Sequence, residues 1–343
     1  MNTNQNEKAL DAYTIKLDDY VMDMSWSFDN KFLCIALASG KLSVVSINNQ
    51  KIMYTVLAHE IGILSVTHSP TSSVFLTAGQ DGTAKLWETI SGKLLKNLIG
   101  GWQWVEHIKW SPDGKYFIFG SGKHLKLYTD AGEYVWEFIN PESTISALSW
   151  NKESQSFAVG SYGNLKIFNV EKGTPSDILP WQNSLISLAW SPDGKFICAG
   201  TQDARIHFWP LPYFPESDCE MSGYAGKVKE LSWNYNSELL ASNCGAEIVV
   251  WKVNGKAPVG EKPIVLQGHK YRITTLKYSN NSELLVSGDT KGIFLFWYPK
   301  KYANMLTGGT IEGSITALSW SPDDQSVVVA SSQGDLVIVD TPI

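Results

Sequence analysis

The stretch WSPDGKYF at residues 110–117 returns almost unchanged as WSPDGKFI at 190–197, and again, more loosely, as WSPDDQSV at 320–327. Weaker copies surround Trp26 (MSWSFDNKF), His68 (VTHSPTSSVF), Trp150 (LSWNKESQSF), Trp233 (LSWNYNSELL) and Tyr278 (LKYSNNSELL). The eight anchors 26, 68, 110, 150, 190, 233, 278 and 320 are 40 to 45 residues apart. A period of that size means a repeated supersecondary unit, so it decides the architecture.

Each unit has one internal grammar: a short apolar stretch such as LISLAW, a polar turn, a second stretch such as KFICAGT, a small-residue turn, then a third such as RIHFW. Runs of this length rich in Val, Ile, Leu, Phe and Trp, separated by Gly, Asp, Asn and Ser, read as strands joined by hairpins. The phrase itself is a corner. Proline presets φ at the second turn position, Asp bonds the local backbone, and Gly accepts the positive φ needed to leave.

Ten of the 14 tryptophans fit this scheme. Six are anchors, and Trp87, Trp209, Trp251 and Trp297 close third strands. Burying an indole of roughly 200 Å² at about 25 cal/mol/Å² contributes a gross ~5 kcal/mol, an upper bound because the unfolded chain is itself compact. Trp102, Trp104, Trp136 and Trp181 fall outside the scheme; Trp136, in EYVWEF, reads as an outer strand.

The period, four strands per unit, the SPDG corner and the Trp ending the third strand resemble the WD-repeat β-propeller over almost the whole chain. The Trp-Asp pair is degenerate, reading Trp87-Glu88, Trp209-Pro210, Trp251-Lys252 and Trp297-Tyr298. The resemblance implies an all-β, single closed propeller of eight four-stranded antiparallel blades over residues 12–343, preceded by a short polar tail, 1–11. The strand AYTIKL at 12–17 would complete the last blade; seven blades are the alternative. It also implies a structural hydrogen-bonded set, complete only in the second unit as His59, Thr77, Asp81 and Trp87. In the seventh unit Lys291 falls at the Asp position, so most blades are expected to rest on apolar packing alone.

Composition bounds the function. The chain has 343 residues, 43% apolar, and a net charge of −6; Arg205 and Arg272 are its only arginines. A nucleic-acid reader usually carries clustered cations, so nucleic acid is disfavoured as a partner. No apolar run approaches the length of a membrane span, and the amino terminus does not read as a secretory signal, so no membrane contact and a cytoplasmic location are expected. Cys34, Cys198, Cys219 and Cys244 lack CxxC spacing and read as reduced and structural.

The nearest string to a phosphate loop, GKAPVGEK at 255–262, has Glu261 where the Lys belongs; no GxGxxG or GxSxG occurs. The six histidines form no HxH or HxxxH pair, so no metal and no cofactor are expected. A non-catalytic interaction scaffold or adaptor follows, a monomeric propeller working within a larger assembly. The alternatives are an enzyme with residues from several blades around the central channel, and, more weakly, a phosphopeptide or nucleic-acid reader.

In such a scaffold the partner is expected on loops entering first strands and on second-to-third-strand turns. The entry loops carry Tyr20, Met22, Trp102, Trp104, Glu106, Trp181, Lys227, Lys229, Tyr271 and Arg272; Tyr162 lies in a second-to-third turn. Trp102 and Trp104, in GGWQWVEH, would face the same way if that segment is extended. Aromatics and long cations of this kind anchor interfaces.

Overall fold

The computed structural model describes residues 11–140, 142–214, 217–301 and 305–342. Of the tail expected at 1–11, residues 1–10 lie outside the described residues. The described residues form strands and turns without a helix. Six antiparallel sheets have four strands and one has seven.

The seven-stranded sheet is two blades joined by one long strand, Pro175–Trp190. Residues 175–184 of it pair with Tyr162–Asn169, while 185–190 pair with Phe196–Thr201. Division where the pairing partner changes, between Ser184 and Leu185, leaves eight four-stranded units, one per anchor. Their first strands neighbour one another in sequence, and Val21–Trp26 of the first lies beside Ile315–Trp320 of the eighth, so the ring is closed around a channel. The last blade is completed by Ala12–Lys16, in register with the carboxy-terminal strand from Ala12↔Val339 to Lys16↔Asp335.

Burial follows radial position. Second strands such as Phe32–Leu37 and Phe196–Thr201 are nearly buried throughout, because a neighbouring blade covers each face of the sheet. They therefore read as continuous apolar runs. Outer strands such as Lys51–Leu57 and Leu94–Ile99 are largely exposed. First strands alternate, with apolar residues between blades and half-buried polar ones toward the channel.

The repeated phrase does two things. Ser111 Oγ donates to Asp113 at 2.7 Å and Ser191 Oγ to Asp193 at 2.7 Å, which closes each turn. Gly114 and Gly194 leave at φ +72° and +77°, a conformation that costs glycine nothing. Each corner also reaches the next blade: Asp113 N donates to Ser154 Oγ and Asp193 N to Ser237 Oγ, both at 2.9 Å.

The anchor indole then joins blade to blade. Nε1 of Trp110, Trp150, Trp233 and Trp320 donates to the carbonyls of Thr67, Lys109, Ala189 and Lys277, each on the first strand of the preceding unit. Trp190 departs from the pattern and donates to Gly194 O in its own turn. Trp136 stacks on Phe157 and Phe168 and donates to Val170 O, wedging the third blade against the fourth.

Polar sets are commoner than the repeat suggests. In the second blade, Trp87 Nε1 donates to Thr77 Oγ1 at 2.9 Å. Thr77 Oγ1 lies 2.8 Å from His59 Nε2, and His59 Nδ1 lies 2.9 Å from Asp81. A carboxylate only accepts, so Nδ1 carries the proton and Nε2 accepts from Thr77. Burial, the largest influence, lowers the His59 pKa, in keeping with a neutral ring.

The seventh blade repeats this arrangement, contrary to the expectation from Lys291. Asp289, two residues earlier, supplies the acid: His269 Nδ1 to Asp289 is 2.9 Å, Nε2 to Ser287 Oγ 2.7 Å, and Trp297 Nε1 to Ser287 Oγ 2.8 Å. In the sixth blade a tyrosine replaces histidine. Trp251 Nε1 donates to Tyr224 OH at 2.8 Å, and Tyr224 OH lies 2.8 Å from Ser242 Oγ. Lys166 in the fourth is buried yet satisfied by Asn140, Glu142 and Asn164 at 2.7 to 3.0 Å. Apolar packing is thus supplemented by buried polar networks in at least four blades.

Candidate protein-interaction face

Entry loops and second-to-third turns lie on one face because each first strand runs antiparallel to the second, which returns the chain to the side it came from. Backbone bonds lock these loops together. Ala38 N donates to Tyr20 O and Thr290 N to Arg272 O within a blade, both at 3.0 Å; Ile273 N reaches Gly245 O of the neighbouring blade at 2.9 Å.

A cavity of about 710 Å³ opens among the loops of blades six, seven, eight and one. Tyr20, Lys227, Lys229 and Arg272 line it, so the structure brings together four side chains expected from sequence to face a partner. Asn243, Thr274, Thr290, Ser314 and Thr316 supply most of its remaining polar wall.

The other expected residues are spread along the face. Trp102 is fully exposed (106%) and Trp104 half exposed (50%). Between them Gln103 is exposed too, but its main-chain carbonyl accepts from Ser121 Oγ at 2.7 Å. Gly100 permits this course: a Cβ there would lie 2.6 Å from Val105 Cγ2 and 2.9 Å from Gly82 O. Glu106 is exposed beside His107. Tyr162 is exposed, as is Tyr271, whose ring has Lys291 Nζ 5.9 Å from its centroid.

Two residues are occupied with packing. Met22 packs against the apolar cluster between the first and second blades. Trp181 lies within the unbroken strand Pro175–Trp190, where no separate entry loop exists. Its ring centroid is 4.2 Å from that of His207 and 6.2 Å from that of Trp209.

The channel holds a constellation that spacing within one unit does not expose. Asp23, His107 and Glu230 sit three residues before their anchors, and Lys109 and Lys277 one residue before theirs. Strand alternation turns these positions away from the apolar interface, and most other units have Ser, Thr or Ala there. That substitution pattern is the signal available in the sequence. Asp23 Oδ2 accepts from Ser65 Oγ at 2.9 Å and from Val66 N at 3.0 Å, tying blade one to blade two.

Enclosing protein pushes the Glu230 carboxyl up to about 7, opposed by hydrogen bonds from Leu276 N and the Thr275 hydroxyl. It also lowers the Lys277 pKa, with repulsion from Lys109 acting in the same direction. Lys277 retains solvent-accessible surface because the channel is open, while protein surrounds it laterally; the surroundings set its pKa. Among the described residues no three His, Cys, Asp or Glu gather to hold a metal, and no helix is long and apolar enough to cross a membrane.

Five segments, 50–88, 92–129, 173–210, 260–297 and 304–340, match the family described as WD domain, G-beta repeat. The denticleless protein homolog of Danio rerio is 23% identical over 332 residues, covering 89% of this chain and 48% of that protein. The periodic tryptophan protein 2 homolog of Caenorhabditis elegans is 27% identical over 112 residues, 32% of this chain and 12% of that one. The nuclear distribution protein nudF of Aspergillus niger is 28% identical over 132 residues, 31% of this chain and 30% of its own. The chain therefore spans about half or less of these relatives. Among solved structures, the computationally designed Ika8 protein superposes with a TM-score of 0.81 at 19% identity, over 95% of this chain and 98% of that one.

Proposed function

The chain belongs to the WD-repeat family, and on that premise we propose that it is a non-catalytic adaptor holding a protein partner on its loop-bearing face, as one propeller within a larger cytoplasmic assembly. Family members generally act as interaction scaffolds. One observation carries the reading: Trp102 and Trp104 are both exposed on one loop, whose backbone is held by the Gln103 carbonyl and by the close approach at Gly100. Indoles held outward by a fixed backbone lose little freedom on binding and bury large area, the properties of an interface anchor.

Affinity capture of the full chain from its native cells, beside the Trp102→Ala/Trp104→Ala form, tests this. A stoichiometric partner lost in the double variant, with thermal melting unchanged, supports it. Equal capture by both forms refutes the role of these indoles.

Catalysis in the channel is the second reading, favoured by Glu230 and Lys277, whose pKa values are shifted toward neutrality. Against it, Glu230 is held by Thr275 and Leu276 in bonds that join blades six and seven. Turnover in a hydrolase and oxidoreductase panel, abolished by Glu230→Gln, would establish it.

A further inference from the structure

The cavity on the loop face contains three cations and no acid among the residues lining it. Lys227, Lys229 and Arg272 are exposed, and none forms an ion pair with a described residue. Contrast sharpens the point. Arg205, the only other arginine, is neutralised by Asp203 at 3.3 Å and by Glu220. In a chain of net charge −6, a recess whose charged lining is all positive, with Glu230 acting on Lys229 from the channel beside it, attracts anions selectively.

Size and chemistry narrow the occupant. A volume of about 710 Å³ exceeds what one small anion fills and suits several side chains, since ligand pockets run from roughly 300 to 1,000 Å³. Two lysines and one arginine form point charges around an open mouth, whereas dense bidentate phosphate recognition favours arginine. Uncharged donors, the Thr290 hydroxyl and the Asn243 amide, share the wall. The channel charges do not change the sign: Asp23 and Glu230 there are matched by Lys109 and Lys277.

We propose that this cavity docks an acidic segment of a protein partner, with carboxylates reaching Lys227, Lys229 and Arg272. The assignment rests on the loop-face reading above and specifies the partner's chemistry.

Fluorescence anisotropy of fluorescein-labelled decaglutamate, titrated with the full chain, tests it directly. Binding is expected to saturate at one peptide per chain and to weaken with added KCl. It should fall at least about tenfold in Lys227→Gln/Lys229→Gln/Arg272→Gln at unchanged melting, the combined effect of several exposed charge pairs. Labelled decalysine should bind only to Lys227→Glu/Lys229→Glu. No binding of decaglutamate to the native chain, or equal binding to native and triple variant, overturns the proposal. Displacement by equimolar inorganic phosphate also overturns it, by assigning the cavity to a free anion. The Trp102→Ala/Trp104→Ala protein separates the two readings. If decaglutamate fails while capture still needs those indoles, only the acidic segment is lost; if decaglutamate binds but capture ignores the indoles, their role falls.

Discussion

The Trp26 indole donates its Nε1 hydrogen to the main-chain carbonyl of Ser319, 3.2 Å away and 293 residues along the chain. The bond repeats, between the last blade and the first, the contact that joins Trp110 to Thr67 and Trp320 to Lys277. Closure of the ring therefore uses the same device as four of the seven internal seams. An anchor indole fills the wedge between sheets and satisfies a carbonyl on the inner strand of its neighbour.

Trp320→Ala removes both contributions and should cost about 3–5 kcal/mol, as large core truncations do. Trp104→Ala, at an exposed site, should cost under about 1 kcal/mol. Urea unfolding of both variants checks this; equal losses would contradict the division between frame and face.

Removing residues 1–18 deletes the strand Ala12–Lys16 and uncovers the edge of its partner Asp335–Asp340. A marked drop in melting temperature is expected, with partial recovery when a synthetic peptide of residues 11–18 is added. Unchanged melting would mean that the pairing contributes nothing to closure.

Asp289→Ala should destabilise the seventh blade by about 1–3 kcal/mol, because His269 Nδ1 would be left buried without an acceptor. Lys291→Ala, at an exposed position, should change stability by under about 0.5 kcal/mol. Chemical denaturation of the pair decides which residue supplies the acid.

Stability should decline on acidification from about pH 6.5. Burial holds His59, His68, His107, His207 and His269 below the ordinary 6.5, His107 at about 4. As pH falls through 6.5 the unfolded chain takes up protons that the folded chain refuses, so folding loses free energy until the folded rings charge. Glu230 acts in reverse, since its carboxyl is raised from 4.5 to about 7 and protonates first in the folded state. One glutamate opposes five histidines, so the urea midpoint should be lower at pH 5.0 than at pH 7.5, and the gap wider in Glu230→Gln. A higher midpoint at pH 5.0 would reverse the sign.

The eight anchors were legible because each sits in a corner whose turn chemistry demands particular residues, and such corners recur whatever the strands between them contain. The seventh polar set was not, since alignment places Lys291 opposite Asp81 while the acid that reaches His269 is Asp289, from the end of the strand rather than the turn. Trp181, expected at an entry loop, lies inside a strand that runs on without one. The cavity could be assembled only in part from sequence: Tyr20, Lys227, Lys229 and Arg272 each stood out in their own loops, but ring closure is what places them around one space. Likewise Glu230 and Lys277 come from different units, and no spacing within a repeat relates them.

The uninterrupted strand Pro175–Trp190 has a mechanical consequence. Everywhere else a bend or loop separates one blade's rim from the next blade's inner edge and can flex without breaking a ladder. Here one continuous strand joins the fourth and fifth blades, and their relative tilt is expected to be the more restrained. Breathing of the ring is expected to concentrate at the other seams, those bordering the cavity among them.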